Sequence, residues 1–184
     1  MAGRAHKIET RIEPFHQQLR SHTRTCHERV DAAFSMFDLS DPGSYAVFLR
    51  AHAAALLPLE AWMRADELIA GWHGRSDALR TDLAEIGAEA PPPLRLNMPS
   101  DEATRWGALY VLEGSRLGGR VLGSRVGEGL PRAYLGAPFS SAAWRDLLSA
   151  LDRCGAHEDA GWRNTALAGA NATFALFERA AGHA

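Results

Sequence analysis

The apolar positions of the chain recur mostly with the spacing of α-helices, and strand alternation is scarcely visible. Leu19, Cys26, Val30 and Phe34 are separated by seven, four and four residues, which places them on one face of a helix. Similar patterns run through residues 45–57, 103–112, 141–153 and 159–181. The sequence therefore predicts an all-α fold.

Proline-containing stretches divide these helical segments. Asp41-Pro42 is typical of an N-cap followed by proline at the first helical position, whereas Pro58 predicts a break or kink. The stretch APPPLRLNMP, residues 90–99, predicts an extended linker, and residues 66–87 read as a solvated helix pair. We expect a flexible N-terminus at residues 1–10 and one domain at 11–184, a bundle of about seven or eight helices.

Composition and charge exclude several classes of partner and location. A chain of 184 residues with 46% hydrophobic content fits one domain, and its net charge of −2 gives no general attraction for nucleic acid or anionic lipid. No apolar run approaches the roughly 20 residues that cross a bilayer. Two cysteines make no disulfide framework, and the N-terminus lacks the apolar centre of a secretory signal, so we expect a cytoplasmic protein.

The stretch EGSRLGGRVLG, residues 113–123, carries four glycines inside a helical pattern. Each interior glycine disfavours the helix by about 1 kcal/mol relative to alanine, so the missing side chains need a reason. A phosphate loop is excluded because the spacing is wrong, no lysine follows and the preceding segment is helical. Two explanations stay open: small residues packing one helix against another, or a helix backbone lying over a flat ligand such as a large planar cofactor.

A second stretch, LRSHTRTCHERVD at residues 19–31, supplies what an iron-containing planar cofactor needs. Thr23, His27 and Asp31 follow each other at steps of four on one helix face, with Arg20 seven residues before His27. For haem, His27 is the candidate iron ligand, Asp31 the acceptor for its other ring N–H, and Arg20 a propionate partner. The alternative is that His27 is an ordinary structural or exposed histidine.

The other candidates near His27 and elsewhere have simpler explanations. His22 lies about 140° from His27 round the helix and is assigned to the surface. Cys26 falls in register with the apolar positions and is assigned to the core rather than to a thiolate ligand. The five tryptophans are too widely separated to form a cofactor-stacking set, and Trp144 alone is a candidate for the rim of the pocket.

Together the two stretches resemble the haem oxygenases, among them the bacterial members, some of which accompany bacteriophytochromes. LRSHTRTCHERVD is similar to the proximal-helix pattern of the family, and GALYVLEGSRLGGRVL at residues 107–122 is similar to its distal-helix glycine motif. The two follow in the right order about ninety residues apart, and ANATFALFERA, residues 170–180, resembles the last helix of the family. The resemblance covers residues 11–179.

The resemblance implies a role for several residues. His27 corresponds to the proximal iron ligand and Asp31 to its hydrogen-bonding partner, and the catalytic candidates are Ser115, Gly114 and Gly118. The implied cofactor-binding residues are Arg20, Thr23, His27, Tyr110, Gly114, Gly118, Gly119 and Arg145. Among these, Arg20 and Arg145 correspond to propionate contacts, and Tyr110 lies one residue from a tyrosine that often makes such a contact.

One position departs from the animal members of the family. Where they have an aspartate after the first distal glycine, this chain has Ser115. That acid organises distal water, whereas a serine can donate and accept hydrogen bonds but carries no charge. Two outcomes stay open: a different water network, with Arg116 as a candidate member, or compromised turnover.

The function that the resemblance implies is cleavage of haem to biliverdin, carbon monoxide and ferrous iron, with haem as both cofactor and substrate. The partners are O₂, an external electron donor such as ferredoxin or a reductase, and a bacteriophytochrome as a possible consumer of biliverdin; no nucleic acid or membrane partner is expected. Two alternatives stay open. One is a haem-binding or haem-transfer protein with little or no oxygenase activity, and the other is a haem-free relative that binds another small molecule.

Overall fold

The computed structural model describes residues 13–183, and every regular element among them is helical. The residues 1–10 that we predicted to be a flexible N-terminus lie outside this range. The six α-helices and the single 3₁₀ turn are α1 Phe15–Phe34, α2 Pro42–Met63, the 3₁₀ turn Ala65–Glu67, α3 Ser76–Glu85, α4 Glu102–Gly123, α5 Ser141–His157 and α6 Ala160–Gly182. The prediction of an all-α fold is confirmed.

Acidic N-caps begin three of the helices, including the one that we predicted at Asp41-Pro42. The carboxylates of Asp41, Asp101 and Asp159 each accept a hydrogen bond from the backbone N–H three residues further on, at 2.7, 2.9 and 2.8 Å. Each bond satisfies a donor that has no partner within the first turn of a helix. Local sequence thus fixes where α2, α4 and α6 start.

The prediction of seven or eight helices is wrong by one or two, in part because Pro58 does not end α2. A proline has no N–H, so the carbonyl four residues earlier loses its helical donor. That carbonyl belongs to Ala54, and it accepts a hydrogen bond of 2.9 Å from the N–H of Leu94 in the proline-rich linker. The linker therefore takes the place of the missing bond, and α2 continues to Met63.

The predicted helix pair at residues 66–87 is also wrong, because only its second half forms an α-helix. The first half is one 3₁₀ turn followed by a loop in which Gly71 adopts a φ of +74°. The Glu60 carboxylate accepts hydrogen bonds from the backbone N–H groups of Arg75 and Ser76, at 2.8 and 2.9 Å. This contact from α2 fixes the start of α3, and no local pattern reports it.

Helix α6 packs against α1, α2 and α4. At its crossing with α4, a Cβ on Gly107 would overlap the backbone carbonyl of Ala166, and a Cβ on Gly169 would lie 2.5 Å from the carbonyl oxygen of Thr104. The two backbones therefore approach closely only because both positions are glycine. This crossing sets the separation of α4 from α1, which lies against another part of α6.

The longest helix of residues 13–183, α6, has 23 residues. None of the helices in that range is both long and apolar enough to cross a membrane.

Candidate active site

His27 and Asp31 form a pair on α1, one helical turn apart. The Nδ1 atom of His27 lies 3.0 Å from Oδ2 of Asp31, which is within hydrogen-bonding distance. With Nδ1 engaged, the other ring nitrogen, Nε2, is left for a ligand. The ring also meets the edge of Phe174 on α6, at 5.6 Å between centroids, and this contact restricts its orientation.

The glycines in the second half of α4 are not needed for close helix packing. A Cβ on Gly118 would meet no atom within 4 Å, and one on Gly114 would make an ordinary contact of 3.5 Å with the ring of Trp144. A Cβ on Gly119 would lie 3.6 Å from the carbonyl oxygen of Leu135. Small-residue packing therefore explains Gly107, in the first half of α4, whereas Gly118 borders open space.

We use the name cleft for the space that we expect between His27 of α1, with Phe174 of α6 against its ring, and Gly114 and Gly118 of α4. Two large apolar side chains of α4, Leu117 and Val121, flank Gly118 and are 54% and 58% exposed. Exposed apolar surface around a gap without side chains is typical of a site that an apolar ligand covers.

Arg20 of α1 and Tyr110 of α4 are linked by electrostatics. Burial raises the pKa of the Tyr110 phenol, and the positive charge of Arg20 acts on it in the opposite direction. The Tyr110 ring also packs on Trp144, at 5.7 Å between centroids. Trp144, the tryptophan that we placed at the rim, therefore contacts both Tyr110 and the position of Gly114.

The other predicted binding residues differ in what they can offer a ligand. Arg145 follows Trp144 on α5 and is exposed. Thr23 is buried, and its hydroxyl donates a 2.7 Å hydrogen bond to the carbonyl of Leu19, so that hydrogen is already used. Cys26 is half-buried, and its thiol lies 3.3 Å from the side-chain oxygen of Asn171 on α6.

Ser115 is held by a buried arginine that the sequence did not reveal. Its Oγ donates to the carbonyl oxygen of Leu112 at 2.7 Å and accepts from Nη2 of Arg75 at 2.7 Å. The same Nη2 lies 3.1 Å from that carbonyl oxygen, and Arg75 is 4% exposed. A guanidinium therefore contacts Ser115, the residue that stands where the animal haem oxygenases have an aspartate.

Arg116, our candidate for the distal water network, is engaged elsewhere. Its Nε donates to both carboxylate oxygens of Glu113, at 2.9 and 3.0 Å, and its Nη2 donates to the carbonyl oxygen of His73. Glu113 also accepts from the indole N–H of Trp72 at 2.9 Å. The arginine that donates a hydrogen bond to the Ser115 hydroxyl is Arg75, not Arg116.

His52 is a second polar group that the sequence analysis did not single out. Its Nδ1 lies 2.7 Å from the hydroxyl of Tyr134, and its ring contacts Phe34, Phe48 and Phe177 at 4.5, 4.4 and 5.6 Å between centroids. Burial among these rings lowers the pKa of His52 to about 3, so the imidazole is neutral at physiological pH. One signal could have identified it, since His52 is flanked by apolar residues in the middle of α2.

Two cavities of about 470 and 430 Å³ lie elsewhere on the surface. The first is beside the C-terminal end of α4, against residues 132–139, and the second follows the N-terminal half of α6. Neither is lined by His27 or Gly118.

Comparison with known proteins identifies similar chains. No family model matches the chain. A protein of Xanthomonas campestris pv. campestris named haem oxygenase is 38% identical over 153 residues, which cover 74% of this chain and 88% of that protein.

Solved structures share the fold. The haem oxygenase of Neisseria meningitidis, determined with NO and CO bound, aligns with a TM-score of 0.77 at 20% identity, over 93% of this chain and 92% of that one. The haem oxygenase of Leptospira interrogans aligns with a TM-score of 0.73 at 18% identity, over 93% of this chain and 100% of that one. From the extent of its similarity to the Xanthomonas protein, we conclude that the chain belongs to the haem oxygenase family.

Proposed function

We propose that this protein cleaves haem, with O₂ and external electrons, to biliverdin, carbon monoxide and ferrous iron. The relative from Xanthomonas that it resembles over most of its length is named a haem oxygenase. Two observations support the proposal: α1 carries an accessible histidine held by an aspartate, and a Cβ on Gly118 of α4 would meet no described atom within 4 Å. Haem is then both cofactor and substrate, and its iron supplies the activation of O₂.

On the α1 side of the cleft, His27 would hold the iron through Nε2. Asp31 keeps the ring in the tautomer that has its proton on Nδ1, and the edge of Phe174 limits rotation of the ring. Both contacts orient the ligand before haem arrives.

On the α4 side, Gly114 and Gly118 allow the helix backbone to lie close to the porphyrin face. A Cβ at Gly118 would meet no atom of the described residues within 4 Å, so a longer side chain there would extend into the space proposed for the macrocycle. Leu117 and Val121 supply exposed apolar surface next to Gly118. Ser115, with ordered water, then forms the polar part of this wall.

The edge at Arg20 and Tyr110 is suited to the carboxylates of haem. Arg20 is exposed, and a guanidinium pairs favourably with a carboxylate. Arg145 on α5, next to Trp144, is the second candidate for this role. Anchoring the propionates here fixes how haem is rotated within the cleft, and hence which meso carbon meets the glycine helix.

The remaining partners and the location stay predictions. Electrons come from a separate protein such as ferredoxin or a reductase, and a bacteriophytochrome is a candidate consumer of biliverdin. We also keep the prediction of a cytoplasmic location.

Titration with hemin, followed by turnover, tests the proposal. Hemin added to the purified protein should give a Soret band that saturates at one equivalent. Addition of ferredoxin, its reductase and NADPH in air should then bleach this band while the absorption of biliverdin grows in the red. A protein that gives no saturating Soret band would contradict the proposal and favour the haem-free alternative.

A matched pair of variants tests the ligand. His27→Ala should lose the Soret band of a histidine complex, whereas His22→Ala should keep it. His22 lies on the same helix, is exposed, and its ring hydrogen-bonds only near its own turn, to the carbonyl of Gln18 and the hydroxyl of Ser21. Equal spectra for the two variants would remove His27 as the ligand.

The haem-binding or haem-transfer alternative is favoured by one specific contact. The hydroxyl hydrogen of Ser115 is donated to Leu112, so this side chain is a poor proton donor to a ligand in the cleft. Under turnover, a stable oxygenated spectrum without biliverdin would support a carrier, and complete conversion would support the enzyme.

A further inference from the structure

We infer that Arg75 is a positioning residue for the proposed haem reaction, which it serves by fixing Ser115 as a hydrogen-bond acceptor and by supplying a positive charge next to it. The inference rests on the proposed function. It concerns a residue that lies forty positions from Ser115 in the sequence and outside both motifs.

The bonding of Ser115 determines what its hydroxyl can do. A serine hydroxyl has one hydrogen and two lone pairs. The hydrogen is donated to Leu112, and one lone pair accepts from Arg75, each at 2.7 Å. One lone pair is left, so a water molecule beside Ser115 must donate to it and turn its other hydrogen elsewhere.

The position of Ser115 on α4 brings this acceptor to the cleft. Ser115 follows Gly114 and precedes Gly118 by one helical turn, and residues three apart are neighbours on a helix surface. Because Gly118 borders open space and Ser115 is exposed, a water bound to Ser115 lies next to the site of the macrocycle.

Contacts from several elements hold Arg75 in this place. Its backbone N–H donates to Glu60 at 2.8 Å, and its guanidinium lies over the ring of Tyr134, 5.3 Å from the centroid. Tyr134 is itself anchored, because its backbone N–H donates to the fully buried carboxylate of Asp82 at 2.9 Å.

Among the described residues, no carboxylate forms a salt bridge with the Arg75 guanidinium. The Glu60 carboxylate instead accepts hydrogen bonds from the backbone N–H groups of Arg75 and Ser76 and from the Ser76 hydroxyl. The charge of Arg75 is therefore not neutralised by an ion pair and acts on its surroundings. The pKa of the Tyr134 phenol reflects this charge. Burial raises that pKa, and the positive charge of Arg75 acts to lower it. Glu60 raises the same pKa and Arg116 lowers it, both more weakly than Arg75. A negative or deprotonated group in the cleft is stabilised by the same charge.

A double-mutant cycle tests the inference through a spectrum rather than through activity. The readout is the pH midpoint at which the ferric haem complex changes from its acidic to its alkaline absorption spectrum. Arg75→Met should raise this midpoint by about one pH unit, because the alkaline form loses a nearby positive charge. Arg75→Lys, which keeps a charge, should stay nearer to the original protein than Arg75→Met does.

The coupling between the two residues is the decisive result. Ser115→Ala should shift the midpoint in the original protein, and should shift it much less in the Arg75→Met or Arg75→Lys background, where the hydroxyl is no longer fixed. Additive shifts in both backgrounds would overturn the inference. If Arg75→Met does not fold, the Arg75→Lys cycle gives the same answer.

Arg105→Met is the matched control. Arg105 is also an arginine with little exposure, 17% for its side chain, and it pairs with Glu67 near the start of α4, far along the helix from Ser115. It should leave the midpoint unchanged, and a shift equal to that of Arg75→Met would overturn the inference. A wild-type protein that forms no haem complex would overturn the proposed function together with this inference, whereas a normal complex with additive shifts would overturn this inference alone.

Discussion

Asp31 lies 3.0 Å from the Nδ1 atom of His27, although the two side chains are 68% and 59% exposed. An exposed pair of this kind contributes little to the free energy of unfolding, so its main effect is on the orientation and basicity of the imidazole. We therefore expect Asp31→Ala to weaken hemin binding by about tenfold to a hundredfold while the melting temperature hardly changes. A hemin titration followed at the Soret band, together with thermal unfolding of the apoprotein, measures both effects.

The molecule contains its own control for this prediction. His16 and Asp152 form a second histidine–aspartate pair, with Nδ1 2.7 Å from Oδ2, that joins α1 to α5 away from the cleft. Asp152→Ala should lower stability and leave hemin affinity unchanged. A loss of affinity in Asp152→Ala as large as that in Asp31→Ala would count against a specific role for Asp31.

Gly118 should respond to substitution in opposite ways for folding and for binding. A Cβ there meets nothing within 4 Å, so Gly118→Ala should stabilise the apoprotein by up to about 1 kcal/mol through helix propensity. Gly118→Leu should also fold, but its side chain enters the cleft and should weaken hemin binding by roughly tenfold or more. Hemin affinity that is unaffected by leucine would show that the macrocycle does not lie against this turn of α4.

Substitution of Gly107 should destabilise the fold, in contrast to Gly118→Ala, because a Cβ at Gly107 would overlap the carbonyl oxygen of Ala166 in the crossing of α4 and α6. Gly107→Ala forces backbone against backbone, and we expect a loss of about 3 kcal/mol or more in the free energy of unfolding. Urea denaturation of the apoprotein measures it, and Gly118→Ala is the control of equal chemical size. A Gly107→Ala protein as stable as the original would mean that α4 and α6 can separate without cost.

His52 gives a pH dependence to folding. Its pKa is lowered to about 3 in the folded protein, against an ordinary value near 6.5, so the unfolded chain binds a proton first as the pH falls. The contribution of neutral His52 to the free energy of unfolding is complete above pH 6.5. Below pH 6.5 the free energy of unfolding should fall by about 1.4 kcal/mol per pH unit until the pH reaches the pKa of the folded state.

His52→Phe provides the comparison, because aromatic rings already surround the site. Between pH 6.5 and 4 its free energy of unfolding should fall less steeply than that of the original protein, although the contact with Tyr134 is lost. His22→Phe, at an exposed position, should leave the slope unchanged. Parallel slopes for His52→Phe and the original protein would contradict the assignment of a neutral, buried His52.

The sequence by itself determined that the fold is helical, where most of the helices lie, and which two segments we propose as the walls of the cleft. Apolar spacing and the N-caps Asp41, Asp101 and Asp159 are local features, since a helix and its first turn depend on residues within about four positions of one another. The pairing of His27 with Asp31 is local for the same reason. Those features were therefore predictable from order along the chain.

Only the tertiary structure decided which groups from distant segments meet. Pro58 stays within α2 because Leu94 bonds the carbonyl of Ala54, and Ser115 acquires its partner because Glu60 fixes the start of α3 and so places Arg75. The role of each glycine was decided in the same way, by what lies opposite it. These contacts join residues 15 to 40 positions apart, and their geometry follows from how whole helices pack, which the pattern of a single segment does not contain.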